Sequence, residues 1–332
     1  MGIEMKEKFK EAFGKISKAK NILLVAHERP DGDAVASLCA MIDLFENYGK
    51  KYTAFCQGQP INHFSFLPHI EKIIFENIFK ISGENKKLNF HDFDLIITLD
   101  CGSLERTGLA EEIEKRQAGQ FVIEFDHHPM IKKYSDLEIR KSEAAATAEI
   151  LYYFFKANKI KITKNIANCL LTGILTDSGN FLYPMTSEET MSIASEMLLH
   201  GAKFPQIVKN TVHNKSLAAM KLWGMALSGL KINKKYNFAF SVLTLDEVEK
   251  NGGNDDIFDS ISGFLSNLYG VNGVLFLREI EGGRLKGSLR SAHSNADVSA
   301  LAVALGGGGH KKASGFVLEG KLKRDGESWK II

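Results

Sequence analysis

The sequence predicts an α/β protein of two domains: an N-terminal domain built on a doubly wound, mainly parallel sheet, and a smaller C-terminal α+β domain. Three observations predict it. The first half alternates short, continuous apolar runs with helical patterns, as expected for a parallel sheet covered on both faces. The last third places strand patterns between short helices. A chain of 332 residues is also long for one compact core and sufficient for two.

The strands of the N-terminal domain are predicted from apolar, β-rich runs, and its helices from apolar residues that recur at helical spacing. The first of these helices is predicted to end at Gly49. The predicted strands are NILLVAH (21–27), KYTAFCQ (51–57), FDLIITLD (93–100) and GQFVIEFDHH (119–128). The predicted helices are DAVASLCAMIDLFENYGK (33–50), ATAEILYYFFKAN (146–158) and NIANCLLTGILTD (165–177).

The domain limits are predicted at 1–186 for the N-terminal domain, 187–216 for a helical connector and 217–332 for the C-terminal domain. The connector carries no cluster of acids and histidines. The C-terminal elements are predicted in the order strand YNFAFSVLT (236–244), helices near 245–250 and 255–268, strands VNGVLFLREIEGG (271–283) and RLKGSLRSA (284–292), helix DVSALAVALG (297–306) and strand SGFVL (314–318).

Composition and charge exclude several functional classes. No apolar run reaches the roughly 18 residues that a membrane helix needs, so we expect no membrane partner. The formal charge of +2 is small for a protein that grips long duplex DNA, but it leaves nucleotides and short nucleic acids open. Cys39, Cys56, Cys101 and Cys169 form no CxxC pair, which favours reduced thiols in a cytoplasmic protein.

Acids and histidines follow the predicted strands of the N-terminal domain where those strands end. Ligands bind at the carboxyl ends of strands in open parallel sheets, so we expect these side chains to converge although they are distant in sequence. The segments HERPDGDAVAS (27–37) and LTDSGNF (175–181) add further carboxylates. The residues expected to converge are His27, Asp31, Asp33, Asp100, Asp126, His127, His128 and Asp177.

Each of these pieces has a simpler explanation when it stands alone. Asp and Gly are turn residues, a histidine after a strand is often a satisfied buried residue, and Asp100 or Asp177 could cap or turn the chain. The adjacent histidines 127 and 128 have little packing rationale. Because the simpler explanation needs four independent coincidences at one sheet edge, the sequence favours a shared site.

A divalent metal centre explains why so many acids are brought together. Crowded carboxylates repel and are driven to protonate, and a cation removes that penalty. Histidine nitrogen with carboxylate oxygen, and without thiolate, suits Mn²⁺ or a similar ion. The donors suffice for two cations about 3.5–4 Å apart that share one carboxylate, a pair that generates hydroxide for in-line phosphoryl displacement. Mn²⁺ is the expected ion, with Mg²⁺ or Co²⁺ as alternatives.

The segment GGGGHKKASG, residues 306–315, is the second notable motif. A flexible loop tip is its plain explanation, yet each glycine carries a large folding entropy cost and a predicted helix and strand flank the run. His310 and Lys311 follow at once. This context favours a backbone that approaches an anion closely, at Gly307, Gly308 and Gly309.

The motif HxxxDxD (27–33), then Asp100, then DHH (126–128), then Asp177 resembles in order and rough spacing the four motifs of the DHH phosphoesterase superfamily. The resemblance covers about residues 20–318. It implies two divalent metal ions. The first would be held by His27 and Asp31, and the second by Asp33, His127 and Asp177.

The same resemblance implies the catalytic roles. Asp100 would bridge both metals, and His128 would face the substrate phosphate and protonate the leaving oxygen. Asp126 would orient its neighbours. Arg106, six residues after Asp100, is a candidate phosphate contact, because an arginine fork suits phosphate oxygens. A solvated helix arginine is the alternative.

The glycine run together with GSLRS (287–291) resembles the DHH-associated domain, which grips substrate over the metal site. The active-site cleft is therefore expected between the two domains. Arg290 and His310 would contact the nucleotide or its terminal phosphate, and Ser288 and Lys311 are further candidates. For Arg290 the alternative is an exposed strand arginine.

The chain length and domain content resemble the bifunctional nanoRNase and pAp phosphatase group of this superfamily. That resemblance implies hydrolysis of short RNA or DNA oligonucleotides to mononucleotides, and of pAp to AMP. Two enzymatic alternatives remain: a phosphodiesterase for cyclic dinucleotides or linear pApA, and a RecJ-like single-strand exonuclease. RecJ-type enzymes usually carry an added nucleic-acid-binding domain, and nothing after residue 320 supplies one. A nucleotide-binding sensor is the non-enzymatic alternative, and a homodimer is left open.

Overall fold

The computed structural model describes residues 2–58, 62–75, 89–183, 185–213, 215–253, 255–292, 296–309, 311–326 and 328–332. The chain divides into two compact units, Met1–Asn214 and Lys215–Ile332. Within these described ranges, no helix has both the length and the apolar character that a bilayer span requires.

The segment predicted as a connector, 187–216, lies in the first unit as far as residue 214. The reason is packing. Ile193 and Met197 are buried in the core of that unit, and the hydroxyl of Thr190 donates to the buried carboxylate of Glu149 at 3.0 Å.

Six parallel strands form the sheet of the first unit. They are β1 (Ile22–Ala26), β2 (Tyr52–Cys56), β3 (Ile73–Ile74), β4 (Leu95–Leu99), β5 (Phe121–Asp126) and β6 (Leu137–Arg140). Their order is β3-β2-β1-β4-β5-β6, with every pair parallel. The strand order reverses between β1 and β4, and the loops that follow such a pair diverge to leave a crevice at the carboxyl edge.

Helices cover both faces of this sheet. They are α1 (Ile3–Lys18), α2 (Gly32–Asn47), α3 (Ala110–Glu114), α4 (Thr147–Ala157), α5 (Lys164–Asp177), α6 (Glu188–Leu199) and α7 (Phe204–Thr211), with short 3₁₀ turns at Asn62–Phe64, Ile70–Lys72, Phe90–Asp92 and Glu105–Thr107. Helix α2 is buried at every residue from Gly32 to Phe45. A Cβ on Gly32 would lie 2.4 Å from Oγ1 of Thr176 in α5, so glycine permits α2 and α5 to pack closely.

The second unit contains a mixed sheet with helices on both faces. Its elements are α8 (Leu217–Ser228), β7 (Lys231–Asn233), β8 (Phe238–Leu243), α9 (Leu245–Asn251), α10 (Asp255–Leu265), β9 (Gly273–Ile280), β10 (Arg284–Ser291), α11 (Val298–Ala304), β11 (Gly308–Gly309), β12 (Ala313–Glu319), β13 (Leu322–Asp325) and β14 (Ser328–Ile331). The sheet order is β11-β12-β10-β9-β8-β7, in which only β8 and β9 pair in parallel, and β13 pairs with β14 separately.

The predicted fold class is confirmed: a six-stranded parallel sheet with helices precedes a separate domain with a mixed sheet. The sequence did not predict α1, α3, β3 or β6 in the first unit. Strand β3 has only two residues, and β6 alternates buried and half-buried positions as an edge strand does, so neither has the continuous apolar run of a central strand. The helix predicted over 255–268 ends at Leu265.

Candidate metal centre

The acids and histidines predicted from the sequence lie at the carboxyl edge of the first sheet, beside the point where the strand order reverses. His27 follows β1 and Asp100 follows β4. Asp126 is the last residue of β5, with the two histidines directly after it. Asp177 ends α5. Four segments that are distant in sequence therefore contribute to one cluster of side chains.

The first donor group consists of His27, Asp31 and Asp100, whose ligand atoms lie within 4.8 Å of one another. Nε2 of His27 lies 3.7 Å from Oδ1 of Asp31 and 3.8 Å from Oδ2 of Asp100, which is too far for hydrogen bonds. Nδ1 contacts the main-chain oxygen of Glu28 at 2.8 Å and so carries the proton. The buried Nε2 has no hydrogen-bond partner among the described residues, as expected of a cation ligand.

The second donor group consists of Asp33, His127 and Asp177, which also lie within 4.8 Å of one another. Nε2 of His127 is 3.2 Å from Oδ2 of Asp177. Nδ1 of His127 contacts the main-chain oxygen of Ala144 at 3.3 Å, which orients the ring with Nε2 toward the carboxylates. Two histidines and four carboxylates thus form two adjacent sets of nitrogen and oxygen donors.

Asp100 belongs to the first donor group and also faces the second. Its Oδ2 is the atom near His27, and its Oδ1 is 3.4 Å from Nε2 of His127. Its backbone has φ 62°, in the left-handed region that a residue with a Cβ adopts at a cost of about 1 kcal/mol or more. The N–H of Asp100 donates to the main-chain oxygen of Phe125 at 2.9 Å and holds this conformation. A strained residue at this central position indicates a functional constraint.

The start of α4 binds two of these carboxylates. Asp33 is fully buried, and its oxygens accept the N–H groups of Thr147 and Ala148, where the helix dipole favours negative charge. The hydroxyl of Thr147 donates to Oδ1 of Asp100 at 2.8 Å. A Cβ on Gly173 of α5 would lie 2.4 Å from Oδ1 of Asp33, so only glycine fits there. Thr147 and Gly173 were not predicted from the sequence, since nothing but their positions in helices marks them.

Asp126 fixes His128. Its Oδ1 accepts the N–H of His128 at 2.7 Å and contacts Nδ1 of the same residue at 2.9 Å. Its Oδ2 accepts the N–H of Gly102 at 2.5 Å. Asp126 therefore fixes both the main chain and the ring orientation of His128.

The charge of the cluster favours bound cations. Burial, and after it the carboxylates of Asp33 and Asp31, raise the pKa of Asp100 well above its ordinary value. Burial outweighs the attraction of His127 and raises the pKa of Asp33 to about 6 and that of Asp177 to about 7. Divalent cations stabilise the ionised forms of such carboxylates. The donor types, the unpartnered imidazole nitrogen and the crowded acids together fit a divalent metal site.

Arg106 lies beside this cluster. A Cβ on Gly102 would lie 2.9 Å from Nη1 of Arg106 and 3.4 Å from Cγ of His128. Gly102 has φ 70°, so both its conformation and its surroundings require glycine. Burial outweighs the hydrogen bond to Asp126 and lowers the pKa of His128, and the charges of His127 and Arg106 lower it further.

The candidate substrate contacts of the second unit lie on β10 and around β11. Ser288 and Arg290 are half-buried and stand opposite Gly315 and Ala313 in the β10–β12 register. A Cβ on Gly307 would lie 2.0 Å from the main-chain oxygen of Gly315, so this glycine has a packing reason. A Cβ on Gly309 would likewise be too close to neighbouring atoms, whereas a Cβ on Gly308 would have open space. Lys311 is exposed, and His310 lies outside the described residues.

The fold and the donor groups fit a metal-dependent phosphoesterase, a hydrolase with its site at the carboxyl edge of a parallel sheet. Comparison with known families identifies the family of each domain. Residues 21–174 match the DHH family, N-terminal domain, and residues 235–326 match the DHHA1 domain. The chain therefore carries a DHH-family domain followed by a DHHA1 domain, and the two matches together cover most of its length.

Relatives of known function resemble the chain over most of its length. It is 27% identical to the bifunctional oligoribonuclease and PAP phosphatase NrnA of Bacillus subtilis, over 90% of each chain. It is 29% identical to the protein of the same name from Thermus thermophilus, over 90% of this chain and 84% of the relative. An exopolyphosphatase-related protein from Bacteroides fragilis has the same fold, with a TM-score of 0.81, 24% identity and coverage of 94% and 91%.

Proposed function

We propose that the protein hydrolyses short oligonucleotides to mononucleotides and removes the 3′-phosphate of pAp. The observation that carries the proposal is the pair of donor groups that meet at Asp100, in a chain that resembles two NrnA proteins over 90% of its length. Two adjacent cation sites that share a carboxylate suit in-line displacement at phosphorus.

The donor groups suggest how two cations would be held. His27 and Asp31 would bind one, and Asp33, His127 and Asp177 would bind the other. The carboxylate of Asp100 would contact both, since its two oxygens face different groups. When bound, such cations supply an acidified water and neutralise charge on the phosphate. Mn²⁺ is our proposed ion because the donors are nitrogen and oxygen only, with Mg²⁺ or Co²⁺ as substitutes.

The remaining residues of the centre act on the substrate itself. Nε2 of His128 would protonate the oxygen that leaves phosphorus, and Asp126 would keep the imidazole in that orientation. Arg106, beside the ring of His128, would bind a phosphate oxygen.

The second unit would bind the far end of the substrate. Arg290 and Ser288 on β10 offer a guanidinium and a hydroxyl for a phosphate, and Lys311 adds an exposed cation. The backbone at Gly308 has open space above it, which permits close approach by a nucleotide. His310 remains a predicted contact outside the described residues.

The first experiment is hydrolysis of an end-labelled RNA dinucleotide with Mn²⁺. We expect turnover by the wild type and a loss of about 10³-fold or more in Asp100→Ala, because the shared carboxylate is removed. Asp92→Ala is the control, since Asp92 is exposed and precedes the amino end of β4, whereas Asp100 follows its carboxyl end. Equal activity in the wild type and Asp100→Ala would remove the proposal.

A substrate panel separates the candidate activities. RNA and DNA of 2 to about 24 residues are compared with pAp, pApA and a cyclic dinucleotide in one assay. Preference for the shortest oligonucleotides and for pAp supports the proposal. Preference for the cyclic compound or for long single strands would replace it with one of the other phosphodiesterase activities. Tight nucleotide binding without product would instead support a sensor.

A further inference from the structure

A guanidinium lies directly behind His128. Arg140 is the last residue of β6, stands opposite Asp126 in the sheet register, and has a side chain that is 9% exposed. Its Nη1 donates to the main-chain oxygen of His128 and lies 3.5 Å from Oδ1 of Asp126. Its Nη2 donates to the carboxylate of Glu124, and its Nε donates to Oε1 of Glu138 at 2.7 Å. Each of the three guanidinium nitrogens therefore donates to an oxygen.

These contacts fix His128 at three points. Asp126 binds its main-chain N–H and its Nδ1, and Arg140 binds its main-chain oxygen. The same Arg140 nitrogen is close to the Asp126 oxygen that contacts the imidazole. Removing the guanidinium would free the His128 peptide and the Asp126 carboxylate together, and both set the position of the ring.

Stability alone is a poor reason for this arrangement. The carboxylate of Glu124 is 1% exposed. Burying such an ion pair removes the hydration of both charges, and their mutual attraction only about offsets that cost. A hydrophobic side chain of similar volume often stabilises a protein as well or better. What the guanidinium adds is direction, because its donors lie in a rigid plane.

We propose that Arg140 is a positioning residue for phosphoester hydrolysis, holding His128 and Asp126 so that the imidazole meets the leaving oxygen. The proposal rests on the proposed function. In the step concerned, a hydroxide oxygen bonds to phosphorus and the bond from phosphorus to the ribose oxygen breaks, leaving its electron pair on that oxygen. The proton on Nε2 of His128 passes to the ribose oxygen, and a proton from solvent replaces it.

A pair of substrates with different leaving groups tests this role. A dinucleotide releases a ribose oxygen that needs the proton, whereas the p-nitrophenyl ester of thymidine 5′-phosphate releases p-nitrophenolate, which leaves without one. In Arg140→Met we expect kcat on the dinucleotide to fall by about 100-fold and kcat on the aryl ester by less than about threefold. KM for both substrates should stay within about twofold, because Arg140 does not bind substrate.

Further variants protect the test against misfolding. Arg140→Met leaves Glu124 buried without its partner, so it is compared with the double variant Glu124→Gln/Arg140→Met, in which that charge is also removed. Arg140→Lys keeps the charge but not the planar fork, and we expect an intermediate loss on the dinucleotide. Arg116→Met is the matched control: Arg116 also binds a carboxylate and a main-chain oxygen, those of Asp136 and Ile113, away from His128.

The outcomes separate this inference from the proposed function. A loss confined to the dinucleotide in the Arg140 variants, with an unchanged ratio of the two kcat values in Arg116→Met, supports the positioning role. Equal losses on both substrates, or a wild-type ratio in folded Arg140→Met, would overturn that role and leave the proposed function intact. A wild type inactive on both substrates would refute the proposed function itself.

Discussion

Asp33 shows how one residue can serve the fold and the site together. Its carboxylate is fully buried, accepts the first N–H groups of α4, and belongs to the second donor group. A charged carboxylate at a helix start is stabilised by the dipole and the unpaired N–H groups. The helix therefore preorganises one candidate ligand before any cation arrives.

Asp33→Asn should weaken both the capping of α4 and the binding of cations. Asparagine replaces one acceptor oxygen with an NH₂ group that opposes a backbone N–H of α4. In chelator at about pH 4, where the charge penalty of the raised Asp33 pKa is absent, we expect the free energy of unfolding to fall by roughly 1–2 kcal/mol. Mn²⁺ affinity should fall at the same time. Urea unfolding and calorimetric Mn²⁺ titration measure the two effects, with exposed Asp92→Asn as control. A variant that unfolds at the wild-type urea concentration would contradict the capping role.

Gly173→Ala should disrupt the centre through sterics alone. The new Cβ would lie 2.4 Å from Oδ1 of Asp33 and 2.7 Å from Cβ of Ala148, so α5 or the carboxylate must move. We expect a loss of about 1–3 kcal/mol in unfolding free energy, the range for overpacked cores. Gly14→Ala in α1 is the matched control, since its Cβ meets nothing within 4 Å, and alanine there should add about 0.5–1 kcal/mol. Equal stabilities for both variants would refute the close packing.

At the scale of the elements, Asp43 joins α2 to the start of α5. Its carboxylate accepts the hydroxyl of Thr163 at 2.7 Å and the amide of Asn165 at 2.9 Å, and contacts Nε2 of His69 at 2.8 Å. Thr163 is also the residue that caps α5, so one buried acid sets the register of the two helices that carry Asp33 and Asp177.

The free energy of unfolding should depend on pH through the carboxylate of Asp43 at this junction. Burial raises the pKa of Asp43, but the hydrogen bonds from Thr163, His69 and Asn165 outweigh it, so the folded pKa is lowered. A lowered folded pKa stabilises the protein above the unfolded pKa of about 3.9, and that stabilisation is lost as the pH falls through the folded value.

Asp43→Asn should therefore lose about 2–3 kcal/mol at neutral pH, and the difference from wild type should shrink only below about pH 4. Urea unfolding between pH 7 and pH 3 measures it. Asp246→Asn, at an exposed acid, is the control. A constant difference down to pH 3 would mean that the ionised carboxylate is not what the junction uses.

The elements near the site were more predictable than those at the sheet edges. Strands β1, β4 and β5 have continuous apolar runs because helices cover both their faces, and their last residues could be located from the sequence. Thr147, Gly173 and Arg140 could not be found in this way. Their roles come from contacts between segments that are distant in the chain, which local patterns do not encode.

At the scale of the whole molecule, the candidate cation ligands found among the described residues all belong to the first unit. Cation binding should therefore raise its unfolding temperature. At 100 times the dissociation constant the stabilisation is about 2.7 kcal/mol, roughly 5–10 °C for a unit of this size. Calorimetry with Mn²⁺ against chelator measures the shift. Asp100→Ala should lose most of it, and a full shift in that variant would place the cation elsewhere.

The chain-wide pattern of motifs resembled that of the family, and the alternation of strands and helices predicted the two-domain fold. The site could be predicted because strand ends in a parallel sheet converge whatever their distance in sequence. It predicted less about the second unit. The glycine run was expected to approach a ligand, whereas Gly307 and Gly309 are also required where β11 meets β12. Backbone proximity between strands and backbone proximity to a ligand select the same residue, and the sequence does not distinguish them.

The carboxylates of the centre are unequal in what they do for the fold. Those of Asp31 and Asp33 bind the starts of helices, so their removal damages the scaffold. That of Asp177 stands at the end of α5, where the dipole disfavours an acid, and the described residues offer it only Nε2 of His127. Evolutionary decay from a catalyst into an inert carrier of nucleotides would thus begin more readily at Asp177 than at Asp31 or Asp33.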